Sequence, residues 1–165
     1  MVSEMKISGK GLEFLMKHEG TKPRIYDDAA PHKDWYVGMP VKGFLTIGVG
    51  HLIKDDELTS FIDVELGDRE IRDLLRSDLV RFEKSVNKKV TVGLSQNEYD
   101  ALVAFAFNVG TGNFQTSTLL RLLNMDNKQD VPFQLKRWNK SKGKVVQGLI
   151  NRRQYECDLW SDGIY

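Results

Sequence analysis

The pattern of apolar and polar positions divides the chain into three zones. At the start, Ser8 reads as an N-cap, Leu12, Leu15 and Met16 recur at helical spacing, and Gly20 ends a short helix. From residue 25 to 49 the helical period is lost, and Pro31, Gly38, Pro40 and Gly43 punctuate turns and short extended pieces. A strand is predicted over 44–50, with Leu45, Ile47 and Val49 on one face and Thr46, Gly48 and Gly50 on the other. Beyond it the helical period returns. Asp68 caps a long helix to about residue 86 that carries Ile71, Leu74, Leu75, Leu79 and Phe82. Its other face alternates Arg69, Arg72, Arg76 and Arg81 with acids, the pattern of a solvated surface. Ser95 and Glu98 form a capping box ahead of the apolar run 101–109, a buried helix that Gly110 and Gly112 should break. Further helices are predicted over 117–124, 132–138 and 148–160.

A helix, a small antiparallel sheet and then many helices predict an α+β fold: a small N-terminal lobe with the sheet and a larger helical C-terminal lobe. The expectation is a single domain over 1–165, with lobes at about 12–67 and 87–165 joined by the helix at about 68–86.

Composition narrows the function classes. With 165 residues, 41% of them hydrophobic, the chain has the make-up of a packed globular domain and excludes wholesale disorder. Its single cysteine, Cys157, gives no disulfide scaffold, and its place near Leu159 and Trp160 reads as core. The first residues hold no apolar signal-peptide core, and no stretch reaches the roughly 18–20 apolar residues of a membrane span. The expectation is synthesis without a signal peptide and no stable membrane insertion. A net charge of +1 hides an asymmetry: residues 131–165 hold seven basic and three acidic side chains, a balance of +4 that leaves −3 for the rest. Such a region attracts a polyanion or is a solvated helical surface. Its aromatics read as core, so nucleic acid is not an expected partner.

Three residues suggest chemistry. Glu19 shares the apolar face of Leu15 and Met16 and sits in the last helical turn. Desolvation and the negative helix end both favour its protonated form, which a general acid needs; a helix-end Glu paired with an Arg is the alternative. Asp28 follows Tyr26 and Asp27 in a polar turn that should keep it ionised. Two carboxyls in contrasting environments are the signature of glycoside hydrolysis. Thr46 shares its strand face with two glycines, which leaves room for a ligand near the backbone or marks a bend.

His18-Glu19-Gly20, Tyr26-Asp27-Asp28 and Thr46-Ile47-Gly48-Val49-Gly50-His51 resemble the catalytic stretch of phage lysozymes of the T-even and lambdoid type, glycoside hydrolase family 24. The resemblance continues through Leu94-Ser95-Gln96-Asn97-Glu98-Tyr99-Asp100-Ala101-Leu102, Phe105-Ala106-Phe107-Asn108-Val109-Gly110, Gly148-Leu149-Ile150-Asn151-Arg152-Arg153 and Glu156. It implies a lysozyme-like fold and an inverting N-acetylmuramidase. Such an enzyme cuts the β-1,4 bond between N-acetylmuramic acid and N-acetylglucosamine in peptidoglycan. Glu19 would be the general acid, Asp28 the carboxylate that activates water, and Thr46 a support for that water. Arg152 matches a family arginine that contacts the catalytic Glu, and His51 one that pairs with an Asp, here Asp78. Asn108 would line the substrate cleft, with Gly48 allowing close approach.

The family spacing is Glu, eight residues, Asp, five residues, Thr; here the gaps are eight and seventeen, which leaves Asp27 and Asp34 as alternatives to Asp28. The added segment, 29–45, carries Trp35 and Tyr36, either as a lengthened cleft lip that meets a sugar or as a satellite cluster packed on the sheet. The resemblance implies no cofactor, and His18, His32 and His51 are too scattered for a metal site. It implies synthesis in the bacterial host cytoplasm, action on periplasmic peptidoglycan strands and a monomer, with an immunity or inhibitor protein left open as a partner. Two rival functions stand beside it: a lytic transglycosylase acting on the same bond, and a non-catalytic peptidoglycan-binding module of a phage tail or secretion effector.

Overall fold

The computed structural model describes residues 4–165. The chain divides into two compact units, Leu15–Asp78 and Met1–Phe14 with Leu79–Tyr165. The boundaries fall inside helices α1 (Gly9–Glu19) and α3 (Asp68–Lys89). The Ser8 hydroxyl accepts the Gly11 N–H at 2.9 Å, as an N-cap does, and α3 runs three residues past its predicted end.

Unit Leu15–Asp78 contains an antiparallel sheet ordered β1 (Lys22–Asp27), β2 (Leu45–Gly48), β3 (His51–Leu52). Tyr26 pairs with Thr46 and Asp27 with Leu45, while Thr46 pairs onward with Leu52. The strand predicted over 44–50 stops early, because Gly48 takes φ 68° and the chain turns into β3. Gly48 is buried, and a Cβ there would meet Leu74 at 3.4 Å, so backbone geometry and packing account for the glycine. Leu15, Ile25, Ile47, Val49, Leu66, Ile71 and Leu75 form the buried apolar set. The added segment leaves the end of β1 and returns as β2. On the way Asp34 bridges to Tyr26, and the Trp35 N–H donates to the Ile25 carbonyl at 2.7 Å. It thereby covers the edge of β1 that β2 does not. A short helix, α2 (Leu58–Phe61), follows the sheet and was not expected.

The other unit is built around α4 (Gln96–Val109), where Tyr99 to Ala106 are all buried. The capping box is present: Ser95 accepts from the Glu98 N–H, and Glu98 accepts from the Ser95 N–H at 2.9 Å. Packed against α4 are α5 (Thr111–Thr116) and α8 (Gln147–Asp162); α6 (Thr118–Asn124) and α7 (Val131–Lys136) complete the layer. The break after α4 comes at Gly110 alone, since Gly112 lies inside α5. Part of the basic region departs from the helical expectation. Lys140, Lys142 and Lys144 sit on an exposed hairpin of β4 (Lys140–Ser141) and β5 (Lys144–Val145), too short to show strand alternation in sequence. Among the described residues, no helix is long and apolar enough to cross a membrane.

Candidate active site

Glu19 is the last residue of α1 and is half-buried. The Gly20 N–H closes the turn below it onto the Met16 carbonyl at 3.1 Å. β1 then delivers two adjacent carboxylates into different surroundings. Asp27 is buried and accepts the N–H groups of Lys42 at 2.6 Å, Ala29 at 2.9 Å and Gly43 at 2.9 Å. These bonds, that from Lys42 foremost, hold its carboxyl below the ordinary range. Asp27 is therefore the staple of the turn, both oxygens being committed to backbone.

Asp28 is exposed. Its Oδ1 accepts the Phe44 N–H at 2.7 Å, and its own N–H donates to the Phe44 carbonyl at 3.0 Å. The Thr46 hydroxyl donates to that same carbonyl at 3.1 Å, which leaves its lone pairs to accept a hydrogen from a water. The main chain of Phe44 thus joins Asp28 to Thr46 although seventeen residues separate them in sequence. Gly43 permits this, since a Cβ there would collide with the carboxylates of Asp28 and Asp27. Asp34 pairs with β1 at the edge opposite Thr46, so roughly two strand spacings, about 10 Å, lie between their backbones.

Trp35 is half-buried and Tyr36 exposed. Trp35 lines a small pocket of about 10 Å³ together with Ile25, Phe61, Ile62 and Val64. It also lines a second pocket, of about 240 Å³. His51 Nδ1 lies 2.8 Å from Asp78, the expected pair, and Nε2 lies 3.2 Å from Glu57, a partner the sequence did not suggest. Among the described residues, no group of three His, Cys, Asp or Glu side chains is placed to hold a metal.

Asn108 and Arg152 belong to the other unit, and both are half-exposed. Asn108 Oδ1 accepts from Arg153 Nη2 at 2.7 Å. Arg153 is fully buried against Glu156: Nη2 donates to Oε1 at 2.9 Å, and Nε lies 2.8 Å from Oε2 without hydrogen-bond geometry. The guanidinium also stands 5.1 Å from the centre of the Phe105 ring. Burial pushes the Glu156 carboxyl up to about 7 against the pull of Arg153 and Arg152. Cys157 is buried too, its thiol pushed up to about 11 by burial, which makes it an inert core group. Phe105 and Trp160 are core as expected, while Phe107 and Trp138 are half-buried, each edge-on to a buried ring.

The family model described as phage lysozyme matches residues 16–156. The chain belongs to the phage lysozyme family. It is 37% identical over 159 residues to the endolysin of Bacillus phage PZA, covering 96% of this chain. It spans only 56% of the length of that relative. Among solved structures it resembles a mutant of phage P22 lysozyme, with TM-score 0.79, 32% identity, and 94% of this chain and 98% of that one covered. The muramidase domain of SpmX from Asticaccaulis excentricus matches with TM-score 0.76 and 29% identity, over 94% and 97% of the two chains.

Sequence reasoning did not find the roles of Phe44, Gly43 and Arg153. The first two act through backbone, which leaves no mark in residue type beyond the glycine. Arg153 did leave one: it precedes Glu156, Cys157 and Trp160 by three, four and seven positions, the spacing of one buried helix face.

Proposed function

We propose that this member of the phage lysozyme family hydrolyses the β-1,4 bond between N-acetylmuramic acid and N-acetylglucosamine in peptidoglycan, with inversion at the anomeric carbon. Residues 1–165 work as one catalytic domain, a monomer without cofactor that binds glycan strands and neither nucleic acid nor membrane. The relatives described as endolysins and as a muramidase domain support the substrate class. The observation that carries the reading is the shared anchor of Asp28 and Thr46 at the Phe44 main chain.

Glu19 donates its proton to the bridging oxygen as the bond to the leaving sugar breaks. The Asp28 carboxylate takes a proton from a water that Thr46 helps hold, and that water attacks C1 from the opposite face. Glu19 is left ionised and Asp28 protonated, and exchange with solvent resets both. Asp27 has no part in proton transfer, since its oxygens hold the turn.

The test is Glu19→Gln on purified peptidoglycan, with products followed by mass spectrometry and by NMR of the new reducing end. Turnover should fall by roughly 10²–10⁴, and wild type should release an α-anomer first. Products ending in anhydromuramic acid would assign a transglycosylase instead. Glu19→Gln turnover equal to wild type would remove the acid role.

A further inference from the structure

We propose that the segment added between β1 and β2 builds an accessory subsite for one N-acetylated sugar of the glycan strand, beyond the pair flanking the cut bond. The inference rests on the muramidase reading and deepens it by adding a strand-length determinant. The pocket of about 240 Å³ is lined by Asp27 and Ala29, the two chain neighbours of Asp28. It is smaller than the roughly 300–1,000 Å³ of a drug-sized site, a space suited to a single ring.

Its construction matches a sugar. Trp35 forms one wall and is held at two points. Its backbone N–H donates to the Ile25 carbonyl, and its indole N–H donates to the Met39 carbonyl at 3.1 Å. The ring therefore loses little freedom on binding and needs no hydrogen bond from a ligand; it presents a flat apolar face of the kind the C–H side of a pyranose covers. Met39 and Pro40 line the pocket with it, and Ala29 and Ala30 leave space. Lys33, Lys42 and Asp34 supply donors and an acceptor. Asp27 also lines the pocket, but its oxygens are already bonded to three backbone N–H groups. Hydroxyl and acetamido groups both donate and accept, which suits this mixed rim better than a purely anionic ligand would. The loop carrying the wall is itself tied down, since the Tyr36 N–H reaches the Met39 sulfur at 3.3 Å.

The experiment measures kcat/KM on glycan oligomers of defined length, from tetrasaccharide to decasaccharide, for wild type, Trp35→Ala and Ala30→Phe. Ala30 is exposed and lines the pocket, so the added phenyl ring fills it while Trp35 keeps both of its hydrogen bonds. In wild type kcat/KM should rise with length until the subsite is filled. In both variants the ratio of the longest to the shortest oligomer should drop roughly tenfold. Equal losses at every length, or an unchanged ratio in Ala30→Phe, would overturn the subsite while leaving the muramidase reading in place. Failure of wild type to cleave any oligomer or intact peptidoglycan would overturn the muramidase reading, and the subsite with it.

Discussion

The sheet turn at the end of β1 and the α4–α8 layer each bury a carboxylate, and they treat it in opposite ways. Asp27 receives three backbone N–H bonds and is held below its ordinary range. Glu156 has a guanidinium for company, yet burial pushes it up to about 7. At Asp27 the fixed backbone N–H dipoles outweigh the desolvation of a single carboxylate. A buried ion pair must repay the desolvation of two charges. The first arrangement suits a turn that has to keep the neighbouring Asp28 exposed. The second ties α8 to Asn108 at the cost of a strained electrostatic balance.

The largest effect expected from breaking this contrast is on stability. Arg153→Met leaves Glu156 buried without its cation and should cost about 3–5 kcal/mol in urea unfolding at pH 8. The loss should shrink as pH falls and Glu156 takes up a proton. Adding Glu156→Leu should recover most of it, because the second charge is then gone as well. A single variant as stable as wild type would mean that the pair is not what fills this site. Next comes Gly43→Ala, whose new methyl group collides with both turn carboxylates and shifts Asp28. A displacement on the order of 1 Å should lower peptidoglycan turnover roughly 10²-fold. Unchanged turnover would show that the turn yields without moving Asp28.

The smallest effect separates the two regions by pH. Asp27, lowered from its ordinary 3.8, contributes stability above that value and loses it as pH falls through the lower folded value. Glu156, raised from 4.5 to about 7, contributes stability that is complete below 4.5 and lost as pH rises through about 7. In urea midpoints measured from pH 2 to 8, Asp27→Asn should flatten the acid limb, and Glu156→Gln should flatten the span between. Parallel curves for both variants and wild type would contradict the assignment.

How much of this was legible in sequence follows the range of the interactions. Ser8, the Ser95–Glu98 box and the 3.6 period marked helices correctly, because caps and amphipathic faces are local; Asp68, read as a cap, is instead the first residue inside α3, and the Gly67 carbonyl accepts the first helical bond. The three motifs around Glu19, Asp28 and Thr46 pointed by resemblance to the phage lysozyme family, to which the chain belongs. The sheet register was not: Tyr26 meets Thr46 across twenty residues, and no local pattern records that pairing. The choice among Asp27, Asp28 and Asp34 stayed open for the same reason. It is a question of which backbone N–H groups each carboxylate meets, and those come from the far end of the added segment. The β4–β5 hairpin was hidden by brevity, and Glu57 by the turn that brings it back to His51.

The antiparallel pairing of β1 and β2 preserves an Asp28–Thr46 neighbourhood that the sequence spacing had lost. The most direct measurement is the turnover of Asp28→Asn on purified peptidoglycan, beside its urea midpoint. The amide oxygen can still accept the Phe44 N–H, so the midpoint should match wild type. Turnover should fall by roughly 10²–10⁴. A well-folded Asp28→Asn enzyme that cuts within a few-fold of wild type would contradict the account.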